Sequence, residues 1–170
     1  PLRIFLPWRP ELETLLNGLT FFSPPPLQGV TTDSILLAVF AAEHLLEKRA
    51  AVCDLCCGSG LLTLLTLART PRTTFRGVDC DPNACRRYEQ NAQNNQLLNR
   101  MSAVCADLTE IRRFLSPGAF DAVIANPPYF EAERGAASPD ETRRISRQGC
   151  PLETVLSSAA YLLKNGGHLN

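Results

Sequence analysis

Along the chain, short apolar runs that end in polar residues alternate with stretches of helical spacing. The runs are Ala50–Cys53 before Asp54, Phe75–Val78 before Asp79, Val104–Ala106 before Asp107, and Phe120–Ala125 before Asn126, with a strand expected over Met101–Cys105. Short, continuous apolar runs suit strands buried on both faces, as in a parallel sheet. Between them lie helix patterns at Leu61–Arg69 and Asp81–Asn95, the second opened by Asp81 at the cap and Pro82 at the first helical position. A short helix is expected at Ile111–Leu115 and a longer one over Pro151–Leu163, stopped by Asn165-Gly166-Gly167. Thr31, Thr32 and Asp33 offer cap residues to a helix reaching about Lys48, with Ile35, Leu36, Val39, Phe40 and Leu46 predicted as its core-facing stripe. This βαβα alternation predicts an α/β domain with a parallel sheet, helices on both faces and ligands at the strands' carboxyl ends.

Residues 1–30 break the pattern. Pro7, Pro10 and Pro24-Pro25-Pro26 exclude long helices. A short helix over Glu11–Asn17, closed by Gly18, and a hairpin of Leu19–Ser23 with Leu27–Val30 are expected, the hairpin covering the ligand site. The expected organisation is therefore an irregular segment, 1–30, followed by one domain, 31–170. The chain stops at Asn170, just inside what the pattern reads as the fifth strand, so the sheet is expected to end before its last strands.

The stretch Asp54 to Gly60, DLCCGSG, describes a strand, a glycine turn and a helix start, a unit that lets backbone approach a nucleotide-like ligand. No Gly-Lys-Ser/Thr follows, which excludes a phosphate loop, and Thr63 stands where a dinucleotide fingerprint needs its last glycine. A ligand with an uncharged ribose fits better, with Asp79 placed at the second strand's end to accept from ribose hydroxyls. Asp54 either meets the ligand or caps the next helix. Asp107 either meets the ligand or is an ordinary strand-end acid.

Taken in order, DLCCGSG, GVDCD (77–81), ADL (106–108) and NPPY (126–129) resemble the four motifs of the S-adenosylmethionine-dependent methyltransferases, and NPPY resembles that of amino-methylating members. The resemblance implies a Rossmann-like class I methyltransferase fold with a mostly parallel, doubly wound sheet, and S-adenosylmethionine as cofactor. It implies cofactor contacts from Asp54, Cys56 (in the first glycine's place), Gly58, Gly60, Asp79, Asp107 and Asn126. TTDSILL (31–37) resembles an element that precedes the first motif in some adenine N6-methyltransferases, which adds Thr32 and Asp33, each with the alternative of a plain helix cap. For catalysis it implies Asn126 and Pro127 as hydrogen-bond acceptors for an amine, and Tyr129 as a stacking platform for a planar substrate.

A narrower resemblance is to the bacterial tRNA adenine-37 N6-methyltransferases that act on valine tRNA. It rests on TTDSILL, NPPYF (126–130), ISRQG (145–149), PLETVL (151–156) and LLKNGGHL (162–169), with departures at Cys56 and Gln148. It implies tRNA as the partner. Two alternatives stay open. Protein glutamine N5-methyltransferases that act on release factors share NPPY but carry a larger helical amino-terminal domain, and a catalytically silent cofactor-binding domain needs no substrate.

Composition changes this picture little. The 170 residues carry no net charge and are 45% hydrophobic, enough for one substantial core without a global pull towards nucleic acid. Between Glu131 and Gly149 lie Arg134, Arg143, Arg144 and Arg147, suited to tRNA phosphates, but Glu131, Glu133, Asp140 and Glu141 offset them. Of the seven cysteines, Cys53, Cys56 and Cys57 form a CxxCC without a second pair, so buried thiols are expected rather than a metal clip or disulfides. No apolar run approaches the roughly eighteen residues of a membrane span. No metal, no membrane association and a cytoplasmic location are expected. Asp121 is expected to be structural, and neither His44 nor His168 a catalytic group.

Overall fold

In the computed structural model, residues 12–15, 18–23, 30–46, 49–127 and 151–170 are described. The chain runs β1 (Leu12–Thr14), β2 (Thr20–Phe22), α1 (Thr32–Leu45), β3 (Ala51–Leu55), α2 (Leu61–Leu67), β4 (Thr74–Asp79) and α3 (Pro82–Asn94). It continues through β5 (Met101–Cys105), a 3-10 turn (Leu108–Arg113), β6 (Phe120–Ala125), α4 (Leu152–Leu162) and β7 (Leu163–Leu169).

The four apolar runs become neighbouring strands. With β7 they form a five-stranded sheet in the order β5-β4-β3-β6-β7, and every adjacent pair is parallel. Side chains alternate across it: Val52, Phe75 and Ile124 join the core beneath α1, α2 and α3, while Cys53, Leu55, Val78 and Val123 join the one beneath α4 and the 3-10 turn. Burial on both faces explains the continuous apolar stretches of β3 and β6, whereas β4 exposes Arg76 and β5 exposes Cys105. In the central registers Asp54 pairs with Gly77 and Ile124, and Asp79 with Cys105, so the polar strand ends meet along one edge.

α1 departs from expectation. Its buried residues are Ser34, Ala38, Ala41, Ala42 and Leu45, whereas Leu36 and Phe40 are 62% and 64% exposed. Small side chains let the helix lie close to the layer below, while Ile35 and Val39 face a cavity of about 450 Å3 shared with Leu15, Val30 and Leu65. The large-residue stripe is thus not the core stripe.

Three further expectations need correction. Residues Leu12–Thr14 form a strand instead of a helix and pair with Thr20–Phe22, while the expected partner strand Leu27–Val30 lies, up to Gly29, outside the described residues. The turn closes where the Leu15 N–H donates to the Leu19 carbonyl over 2.8 Å, with Gly18 at φ +81. The short helix is a 3-10 turn that begins at Leu108, because Asp107 caps it from the strand side. Finally, β7 starts at Leu163 directly after α4, and Asn165-Gly166-Gly167 lies inside it as a bulge between the Phe120–Leu163 and Ala122–His168 pairs. Asp121 sits opposite the bulge, holding Lys164 at 2.7 Å and accepting from the Ala51 N–H at 2.8 Å, the structural role expected of it.

Candidate functional site at the strand ends

Asp54, the next-to-last residue of β3, is only 1% exposed. It accepts the Thr63 hydroxyl proton at 2.7 Å, and the Tyr88 hydroxyl then donates to the Thr63 oxygen at 3.0 Å, both partners being fully buried. Thr63 lies in the first turn of α2, whose N-cap is Gly60, so this hydrogen bond ties β3 to the start of α2. Burial pushes its carboxyl up to about 7, against the pull of the Thr63 hydrogen bonds.

Between this buried chain and the strand edge runs the glycine turn. Cys56, Gly58 and Gly60 all have positive φ, at +57, +53 and +88. Cys56 therefore keeps the left-handed backbone of the glycine it replaces, a conformation that costs an ordinary residue about 1–2 kcal/mol. At Gly60 a Cβ would stand 2.5 Å from Met101 Cε and 2.8 Å from Tyr88 Cδ2, so only glycine fits. At Gly58 the same position meets nothing within 4 Å. That side of the turn is open to a ligand.

Asp79 bridges the turn to the next strand. One carboxylate oxygen accepts from the Gly58 N–H at 2.9 Å, the other from the Asp81 N–H at 2.9 Å. Burial raises its pKa, opposed by these two hydrogen bonds. Asp81 only caps α3, accepting from the Asn83 N–H at 2.8 Å. Asp107 is exposed and accepts from the Thr109 N–H and hydroxyl, which hold its carboxyl below the usual range.

Asn126 follows β6 one residue beyond the Leu55–Ala125 pair, level with the start of the glycine turn. Its Nδ2 donates to Ser34 Oγ over 3.4 Å, and Ser34 is tied to Thr31 by a hydroxyl–hydroxyl bond of 2.9 Å and a backbone N–H bond of 3.2 Å. Thr31 is thus the cap of α1, while Thr32 and Asp33 are exposed in its first turn. Pro127 is half-buried beside Asn126. Tyr129, like the arginines of 131–149, lies outside the described residues.

A family model, the methyltransferase small domain, matches residues 31–170. The chain belongs to this family. Among curated relatives of this methyltransferase-family chain, it is 29% identical over 145 residues to a tRNA1(Val) (adenine(37)-N6)-methyltransferase of Porphyromonas gingivalis, covering 82% of this chain and 56% of that protein. It is 35% identical over 121 residues to the like-named protein of Haemophilus influenzae, covering 69% and 49%. The chain thus spans about half the length of the curated relatives it matches. In fold it is similar to ribosomal protein L11 methylase from Lactobacillus delbrueckii subsp. bulgaricus, with TM-score 0.56, 18% identity, and 85% and 62% of the two chains covered. A geranyl diphosphate C-methyltransferase from Streptomyces coelicolor A3(2), solved with S-adenosyl-L-homocysteine, gives TM-score 0.56 at 16% identity, with 78% and 43% covered. The fold is the Rossmann-like class I methyltransferase fold.

The strand-end acids, both glycines and Asn126 of this family member thus share one sheet edge. Sequence reasoning missed Ser34, Tyr88 and Asn91. Asn91 is fully buried, receives the Phe22 N–H at 2.7 Å, and donates to the Phe22 and Ser59 carbonyls at 3.1 and 2.9 Å. Its signal was a polar residue at a core position of α3, i+3 from Tyr88. Among the described residues no three or more His, Cys, Asp or Glu side chains gather as metal ligands, and no helix is long and apolar enough to cross a membrane.

Proposed function

We propose that the chain is an S-adenosylmethionine-dependent N-methyltransferase that methylates an exocyclic amine, N6 of adenine in tRNA. The observation that carries this reading is Asn126, whose Nδ2 is turned to Ser34 so that Oδ1 remains as an acceptor at the strand end. The residues present fit the cofactor. Gly58 offers backbone with no side chain in the way, and Asp79 offers carboxylate oxygens for ribose hydroxyls.

When bound, S-adenosylmethionine supplies a methyl group that is already electrophilic. The chain's own residues then have to align an amine with it and exclude water. The lone pair of an adenine amine is delocalised into the ring. Asn126 Oδ1 and the Pro127 carbonyl each accept one of its N–H bonds, favouring a pyramidal nitrogen with its lone pair directed at the methyl carbon. Pro127 restrains Asn126 to extended backbone, keeping both acceptors aimed. Tyr129 stacks on the base, and Asp107 takes the cofactor's adenine amine. Thr32 and Asp33, exposed in the first turn of α1, add cofactor contacts. Cys56 and Gly60 shape the turn, and Asp54 braces it from behind through Thr63.

Support for tRNA as substrate comes from the names of the curated relatives and from NPPY. The test is methyl transfer from radiolabelled S-adenosylmethionine onto unmodified bulk tRNA, with release factor in parallel. Label recovered as N6-methyladenosine is expected. Label in the protein instead moves the reading to glutamine N5-methylation. No label in either, despite bound S-adenosylhomocysteine, leaves another substrate or a silent cofactor-binding domain.

A further inference from the structure

Three thiols gather at the carboxyl ends of β4 and β5, and none has a part in the reading above. Cys105 ends β5 in register with Asp79, Cys80 follows Asp79, and Cys85 lies in the first turn of α3. Cys85 Sγ is 3.4 Å from the Asp79 carbonyl and 3.8 Å from that of Val104, while Cys105 Sγ is 3.8 Å from the Cys80 carbonyl. Both sulfurs thus lie against the backbone at the ends of β4 and β5, Cys85 Sγ against the residue that precedes Cys105 and Cys105 Sγ against the one that follows Asp79. Cys105 is exposed and Cys85 is buried. Burial and then the Cys105 thiol push the Cys85 pKa up to about 12, so Cys85 is a poor target alone, and Cys105 is the point of entry.

We propose that Cys85 and Cys105 form a dithiol that reacts with a low-molecular-weight disulfide, such as oxidised glutathione, and closes to a Cys85–Cys105 disulfide that weakens cofactor binding. Cys105 loses its proton and attacks one sulfur of oxidised glutathione, expelling a glutathione thiolate that takes up that proton. Cys85 then loses its proton and attacks Cys105 Sγ, and the second glutathione leaves as a thiol. Two protein thiols are oxidised by two electrons, and one glutathione disulfide is reduced to two thiols. The two sulfurs sit at the same strand ends, and the exposed Cys105 side chain is the one that turns to bring them to the roughly 2 Å of a disulfide bond. The new bond ties the first turn of α3 to the end of β5 across Asp79, the residue that holds Gly58. This consequence rests on the cofactor site proposed above.

The experiment treats the protein with oxidised glutathione, maps the linked peptides by mass spectrometry, and measures S-adenosylhomocysteine binding by calorimetry before and after. The treated chain is expected to lose about 2 Da as a Cys85–Cys105 link. Affinity is expected to fall at least about tenfold and to recover with dithiothreitol. Cys105→Ser is expected to form no link and to keep its affinity. Glutathione adducts without that link, or a Cys80–Cys105 link instead, overturn the dithiol. A Cys85–Cys105 link with unchanged affinity overturns its coupling to the site. A reduced protein that binds no S-adenosylhomocysteine overturns the cofactor reading, and the mass result then decides the dithiol by itself.

Discussion

Replacing Asp54 by Asn should make the protein more stable at mildly alkaline pH and almost no different in acid. The carboxyl is 1% exposed and its pKa stands at about 7 instead of 3.8, chiefly because burial disfavours the charge. As pH rises from 3.8 to about 7, the unfolded chain has released this proton while the folded chain still holds it. The stability from this group is therefore present in full below the lower value and gone above the higher one. At about 1.4 kcal/mol per pH unit, the loss across that window is about 4 kcal/mol at most. Asparagine has the same shape, accepts the Thr63 hydroxyl through Oδ1, and never ionises. Urea unfolding followed by circular dichroism should find Asp54→Asn about 2–4 kcal/mol more stable than the parent at pH 8, and within about 0.5 kcal/mol of it at pH 4. Asp79 titrates in both proteins, and its repulsion adds to the burial that raises Asp54, so the replacement removes both effects together. A variant less stable than the parent at pH 8 would mean that the native state favours the charge, and the argument from burial would fail.

Asn126→Ala should lower methyl transfer by about 10²–10³-fold with S-adenosylhomocysteine affinity unchanged by calorimetry. Ser34→Ala should lower kcat by about tenfold without moving KM, and should have no further effect in an Asn126→Ala background, as a double-mutant cycle would reveal. Gly60→Ala puts a methyl group 2.5 Å from Met101 Cε at positive φ, and should cost about 2 kcal/mol or more in urea unfolding. Ala41→Leu overfills the close contact beneath α1 and should cost about 1–3 kcal/mol by the same measurement.

The strand runs were legible because the central strands β3 and β6 are buried on both faces over most of their length, while β4, with Arg76 exposed, was read from Phe75, Gly77 and Val78 alone. Their polar ends were legible for the complementary reason, since a carboxylate at the end of a buried strand needs a turn or a ligand to satisfy it. α1 misled because its sequence carries two stripes, one large and one small. Sheet-facing helices accept alanines when the approach is close, and spacing alone does not say which stripe turns inward. β2 falls within the expected strand Leu19–Ser23, but β1 was missed because it is only three residues long. Too few alternations fit there to register a period of two. Bridging side chains such as Ser34 and Asn91 act between elements remote in sequence, which no local pattern announces.

The pairing of Asn91 and Asn95 with β2 bears on the order of assembly. Asn95 accepts from the Thr20 N–H at 2.8 Å and donates to the Thr20 carbonyl at 2.7 Å, as Asn91 does at Phe22, so two carboxamides stand where a third strand would pair. These bonds span 69 and 75 residues. During synthesis the hairpin leaves the ribosome first, then waits on the order of several seconds, at roughly 5–20 residues per second, for α3 to emerge. For that interval its edge is a row of open peptide groups, and a nascent-chain chaperone that shields extended segments has its clearest opening there.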